Sequence, residues 1–106
     1  MSTSSWLGLH GRDPEWDATI YLLTTPLIQD LTAPFISPEE RDIEWPQLRE
    51  AARRWSSGER LLMEAAWDLW SGDGTKPLMA YVGTLDNENL KRLLNGIRIR
   101  RGWPVE

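Results

Sequence analysis

Glu64 and Asp68 are two carboxylates one helical turn apart, a spacing that could allow them to act together in metal binding or catalysis. On one helix face such a pair could ligate a divalent cation or act as a general acid and base. Arg60 falls on the same strip one turn earlier and offsets part of the negative charge. We therefore interpret the strip as a solvated helix face and expect neither a metal site nor a catalytic residue there.

The other candidate residues do not form a catalytic set. His10 is the only histidine, and it stands in a Ser- and Gly-rich N-terminal stretch without rigid partners, so we interpret it as a surface residue. The run 68–74 suggests a calcium loop, but Trp70 and Gly72 occupy positions where an EF-hand needs oxygen ligands. The sequence contains no Gly-rich phosphate loop and no dinucleotide fingerprint. We expect a non-enzymatic protein that holds no cofactor.

The C-terminal part of the chain carries a concentrated positive charge. Residues 91–101 include five cations and no acid: Lys91, Arg92, Arg98, Arg100 and Arg101. The expected order of a long helix, a short helix, a turn and this final helix resembles that of a helix-turn-helix domain. DNA binding through this basic patch is therefore the alternative function. The expected helix nevertheless starts with Asp86-Asn87-Glu88, where phosphates would approach. The whole chain is also acidic, with a formal net charge of −4.

A tryptophan-rich apolar stretch lies in the middle of the chain. The pattern of residues 56–70 predicts a helix that is apolar around most of its circumference. Met63, Trp67 and Trp70 form one of its two apolar stripes. If no other segment covers this stripe, it is a partner-binding surface. If the N-terminal segment or the Pro-rich loop covers it, the three side chains belong to the core.

Composition places this chain among ordinary globular proteins, apart from its seven tryptophans. It has no cysteine, which suits a reducing compartment. The N-terminus shows no signal-peptide pattern, and no run approaches the ~20 apolar residues of a membrane span. We therefore expect a cytoplasmic protein without membrane contact. The first 50 residues hold three basic and nine acidic residues, whereas the remainder holds nine and seven.

Hydrophobic periodicity and capping signals predict a chain built from helices. The expected helices cover 14–23, 46–55, about 59–70, 77–82 and 87–101. Residues 18–24 are also β-rich, which leaves a strand open as an alternative there. Ser37 and Glu40 have capping-box spacing and predict a short helix ending near Trp45. Leu78, Met79 and Val82 are expected to face inward.

These patterns predict an all-α single domain of four to five helices around the helix at about 59–70. The Pro-rich segment 24–37 is expected to pack over the core. Residues 13–102 would form the domain, with a flexible segment at 1–12 and a tail at 103–106. The expected function is a protein–protein interaction or regulatory module that binds a protein partner or a second copy of itself. Nucleic-acid binding is the less favoured alternative.

Overall fold

Six α-helices and one two-stranded hairpin make up residues 13–104, the part of the chain that the computed structural model describes. The helices are α1 (Pro14–Leu23), α2 (Gln29–Thr32), α3 (Trp45–Ala52), α4 (Ser57–Ser71), α5 (Leu78–Thr84) and α6 (Asn87–Arg101). A 3-10 turn (Ala33–Phe35) follows α2, and strands β1 (Ile36–Ser37) and β2 (Asp42–Ile43) precede α3. The prediction of a small all-α domain is confirmed, with six helices in the described range where four to five were expected. The predicted flexible segment 1–12, with His10, lies outside the described residues.

Helix α4 occupies the centre of the fold, as its apolar sequence predicted. A capping box starts it: the Ser56 hydroxyl accepts from the Glu59 backbone N–H, and the Glu59 carboxylate accepts from the Ser56 N–H. Gly72 ends it in the left-handed conformation, with φ of 77°. Between these ends, α4 packs against α1, α3, α5 and α6. The helix therefore touches every other long element of the domain.

Helix α1 is the most deeply buried element. The Asp13 side chain accepts from the Trp16 backbone N–H at 3.2 Å, and Pro14 takes the first helical position, so the start is well specified. Because α4 lies along one side of α1 and α6 along another, six of its ten residues are buried. Residues 18–23 are thus helical, and the strand alternative is wrong.

The Pro-rich segment after α1 packs over the core, as expected. Ile28 is fully buried, and the buried hydroxyl of Thr32 donates to the Leu23 carbonyl oxygen at 2.7 Å. The Thr25 hydroxyl donates to the Leu22 carbonyl at 2.6 Å, so both threonines fix the segment to the end of α1. Leu27 and Leu31 remain exposed on its outer side.

The predicted helix after Ser37 is wrong. Ile36 pairs with Ile43 and Ser37 with Asp42 in an antiparallel hairpin, and residues 38–41 form its turn. A helix here would have presented mostly acidic side chains and little apolar surface. The hairpin instead buries Ile43 and half-buries Ile36, which stabilises the extended form.

Helix α5 also differs from the sequence-based expectation. Leu78, Met79 and Val82 point outward, with Leu78 71% and Met79 69% exposed. Tyr81 and the adjoining Leu85 are buried instead. Tyr81 and Leu85 are spaced at i and i+4, so they lie on the same side of α5 and define its inner face. Because α5 packs on the domain with this one face, the side chains of Leu78, Met79 and Val82 remain exposed.

Candidate interaction surface

The predicted partner-binding stripe of α4 is largely covered by other parts of the domain. Met63 is 1% exposed, and Trp67 and Trp70 are half-buried. Trp45 of α3 meets Trp67 edge-on at a centroid distance of 5.0 Å, and Trp16 of α1 meets Trp70 edge-on at 6.2 Å. The cover thus includes α1 and α3, which were not among the segments expected to provide it.

Two arginines stack on the outer side of this tryptophan cluster. The guanidinium carbon of Arg49 lies 4.7 Å from the Trp67 ring centroid, and that of Arg41 lies 5.6 Å from the Trp16 ring. In this arrangement Met63 offers no surface to a partner. A partner-binding role for the half-buried indoles of Trp67 and Trp70 stays a prediction.

Arg92 of the predicted basic patch is a structural latch between α6 and α1. Its guanidinium stacks over the Tyr21 ring at 3.7 Å from the centroid. The same group donates to the Tyr21 carbonyl oxygen and, at 3.2 Å, to the Thr25 hydroxyl. Burial lowers the pKa of Arg92, an effect partly opposed by its contact with Tyr21. This cation is therefore directed toward its own fold.

The other four cations of the patch divide between two environments. Arg100 donates to the Leu69 carbonyl at 3.1 Å and pairs with Glu15 at 3.4 Å, so it also faces the domain. Arg98 donates to Asn95, and the Arg101 guanidinium lies 5.6 Å from the ring of Trp103. Lys91 is exposed. The five cations thus do not form one continuous basic face.

The two carboxylates of the α4 strip differ: Asp68 is exposed, as expected for a solvated helix face, whereas Glu64 is partly buried. Asp68 accepts from the Gly74 backbone N–H at 3.0 Å and so fixes the loop that follows α4. Glu64 has one buried carboxylate oxygen with no hydrogen-bond partner among the described residues. Burial, reinforced by the negative charges of Asp68 and Glu64, raises the pKa of the nearby Tyr81 phenol to about 12. Across residues 13–104 no cluster of three metal-ligating side chains occurs.

An apolar groove between α4, α5 and α6 is the surface that sequence reasoning missed. It has a volume of about 110 Å³, and Leu69, Leu78, Tyr81, Leu93 and Ile97 line most of it. The two outer helices carry further exposed apolar side chains: Met79 and Val82 on α5 and Leu94 on α6. The sequence did contain a signal for this groove, because the apolar residues between 78 and 85 lie on more than one side of a helix and cannot all face the core.

No protein-family profile, curated protein or solved structure matches this chain. Its function must therefore be inferred from the chemistry of its surface. None of the helices in the described range is long and apolar enough to cross a bilayer.

Proposed function

We propose that this protein is a non-enzymatic interaction module whose α5–α6 surface binds an acidic amphipathic helix of a partner protein. The observation that carries the proposal is the apolar surface around the groove. Leu78, Met79, Val82, Leu94 and Ile97 are each between 41% and 71% exposed. Leu78 and Ile97 also line the groove itself. Exposed apolar side chains in this number, on the two helices that border one apolar groove, are typical of an interaction site.

The shape of the surface suits a helical partner. The groove is lined by apolar side chains from three helices: Leu69 of α4, Leu78 of α5, and Leu93 and Ile97 of α6. Apolar anchors on one face of a partner helix, spaced at i, i+3, i+4 and i+7, fill grooves of this kind. Burying the exposed leucine and isoleucine side chains would contribute roughly 25 cal/mol per Å² of apolar area.

Exposed cations on α6 favour an acidic partner, although Asp68 places one carboxylate in the lining of the groove. Lys91 precedes Leu94 by three residues, and Arg101 follows Ile97 by four, so an exposed cation stands near each end of the apolar strip on α6. Acidic residues flanking the apolar face of the bound helix would meet these cations. Rim charges of this kind increase the association rate and select the partner more than they add affinity.

A synthetic helix tests the proposal directly. The probe is a fluorescent amphipathic peptide of about 15 residues with leucine anchors and flanking glutamates, and its control has lysines in place of the glutamates. We expect saturable binding of the acidic peptide, at least about tenfold tighter than that of the basic one. Leu94→Gln should weaken binding about tenfold, whereas Leu27→Gln, at an equally exposed leucine elsewhere, should not.

Other occupants of the same surface would give different results. Dimerisation that Leu94→Gln abolishes would identify a second copy as the occupant, and vesicle binding would identify a lipid surface. Binding of duplex DNA that falls by orders of magnitude between roughly 50 and 200 mM salt would favour the nucleic-acid alternative. If neither peptide binds and no Leu94-dependent association is found, the surface is not an interaction site.

A further inference from the structure

A second cavity lies on the other side of α5, where α3, α4 and α5 meet. It has a volume of about 280 Å³ and opens to solvent. Four cations line it: Arg49 and Arg53 from the end of α3, Arg60 from α4, and Lys76 from the loop before α5. We propose that this cavity, termed here the cationic cleft, binds a small phosphorylated molecule with at least two negative charges. The proposal does not rest on the function proposed above.

The four cations converge from three separate segments of the chain. They come from residues 49–53 at the end of α3, from residue 60 in α4 and from residue 76 before α5, so the packing of these segments concentrates their charge around one cavity. Among the described residues that line the cleft, Glu64 is the one acid. The lining therefore carries a net positive charge, although the whole chain is acidic. A cleft lined mainly by charges of one sign raises the local concentration of oppositely charged ligands.

Two of the four cations are available to a ligand without loss of an existing ion pair. Within the described part of the chain, Arg60 and Lys76 make no salt bridge. Arg53 pairs with Glu50 at 3.3 Å, but both side chains are more than two-thirds exposed, so this pair is readily exchanged. Arg49 also lines the cleft, and its guanidinium carbon lies 4.7 Å from the centroid of the Trp67 ring, a contact that restrains the side chain.

The side chains that line the cleft supply donor groups of the kind that bind phosphate. Each guanidinium presents a planar fork of N–H groups that can bind two oxygens, and the Lys76 ammonium supplies further donors. The Ser57 hydroxyl, in the first turn of α4, adds a neutral donor to the lining. Ala52, Leu61 and Ala80 supply an apolar part of the wall. A volume of about 280 Å³ is at the small end for ligand sites, so the ligand is compact.

Calorimetric titration of the intact protein with pyrophosphate tests this assignment. We expect saturable one-to-one binding, at least about tenfold tighter than that of citrate, a carboxylate ligand of similar charge. Arg60→Gln and Lys76→Gln should each weaken pyrophosphate binding by about fivefold or more. Arg54→Gln is the matched control, because Arg54 is an exposed arginine beside Arg53 that does not line the cleft. It should leave the affinity unchanged.

A charge change of the opposite sign makes the test stricter. Glu64→Gln removes the one carboxylate of the lining and should tighten pyrophosphate binding about three- to tenfold. If Arg54→Gln weakened pyrophosphate binding as much as Arg60→Gln, the binding would depend only on general surface charge, and the proposal would be overturned. Absence of pyrophosphate binding would overturn it as well. So would tighter binding of a single-stranded oligonucleotide through Arg60 and Lys76, since the site would then belong to a nucleic-acid surface.

Discussion

A Cβ atom added to Gly96 would lie 2.9 Å from Cγ of Leu22, because α6 crosses α1 closely at this glycine. Leu22 is fully buried and cannot move aside without displacing its neighbours. We therefore expect Gly96→Ala to lower the free energy of unfolding by about 1–2 kcal/mol, after the gain in helix propensity is subtracted from the cost of overpacking. Chemical denaturation monitored by tryptophan fluorescence would measure the change.

A matched glycine in α5 provides the control for this substitution. A Cβ atom added to Gly83 would meet no atom of residues 13–104 within 4 Å. Gly83→Ala should thus leave the free energy of unfolding unchanged or raise it by roughly 0.5–1 kcal/mol, since only helix propensity changes. If Gly96→Ala were as stable as Gly83→Ala, the close approach of α6 to α1 would be incorrect.

Two leucines on neighbouring helices should differ strongly in their contribution to stability. Leu62 of α4 is fully buried, whereas Leu94 of α6 is 48% exposed. We expect Leu62→Ala to cost about 2–5 kcal/mol in unfolding free energy, and Leu94→Ala to cost less than about 1 kcal/mol. Thermal and urea denaturation of the two variants would measure both values. Comparable losses would show that Leu94 belongs to the core and would remove it from the proposed interaction surface.

Arg92 should stabilise the fold although it is a charged residue on a helix. Replacement by alanine would remove its stacking on Tyr21 and its hydrogen bonds to the Tyr21 carbonyl and the Thr25 hydroxyl. Since hydrogen bonds made by charged groups are among the stronger ones, we expect a loss of about 1–3 kcal/mol in unfolding free energy. The neighbouring exposed residue gives the comparison: Lys91→Ala should change stability by less than about 0.5 kcal/mol. Equal effects would argue against the latch.

Tyr81 should make the stability of the protein depend on pH in the alkaline range. Its pKa is about 12 in the folded protein, against a reference value of 10.0 that applies when the chain is unfolded. The unfolded phenol therefore loses its proton first, so the folded state loses stability as the pH rises above about 10. Below that pH the contribution is fully present.

Phenylalanine at the same position isolates this contribution. Between about pH 9 and pH 11, the free energy of unfolding should fall more for the natural protein than for Tyr81→Phe, which has no phenol to ionise. Denaturation midpoints of the two proteins at matched pH values would measure the difference. If the stability of both proteins fell equally with pH, burial and the charges of Asp68 and Glu64 would not raise the pKa of Tyr81 in the folded protein.

The long helices could be predicted because their local signals agree with their tertiary environment. In α4 the Ser56–Glu59 capping box, the apolar faces and Gly72 all indicate the same element, and packing on several sides reinforces it. The Ser37 signal failed because capping-box spacing describes local hydrogen bonds only. The pairing of Ile36 with Ile43 depends on contacts across a turn, which capping-box spacing does not register.

The candidate surfaces were harder to predict because exposure depends on which helix covers which side. Periodicity placed Trp67 and Trp70 on one stripe, but it could not show that Trp45 and Trp16 would pack against them. For the same reason, the outward position of Leu78 followed only from the structure. The cationic cleft draws side chains from three segments, so no single window of sequence contains it.

Helix α5 is a common wall: Ala80 and Thr84 border the cationic cleft, while Leu78 and Tyr81 border the apolar groove. A molecule that binds in one of these two sites and shifts the seven-residue helix α5 therefore also changes the shape of the other site. If a small molecule in the cleft changes the affinity of the groove for a protein partner by some factor, the partner must change the affinity of the cleft for the small molecule by the same factor.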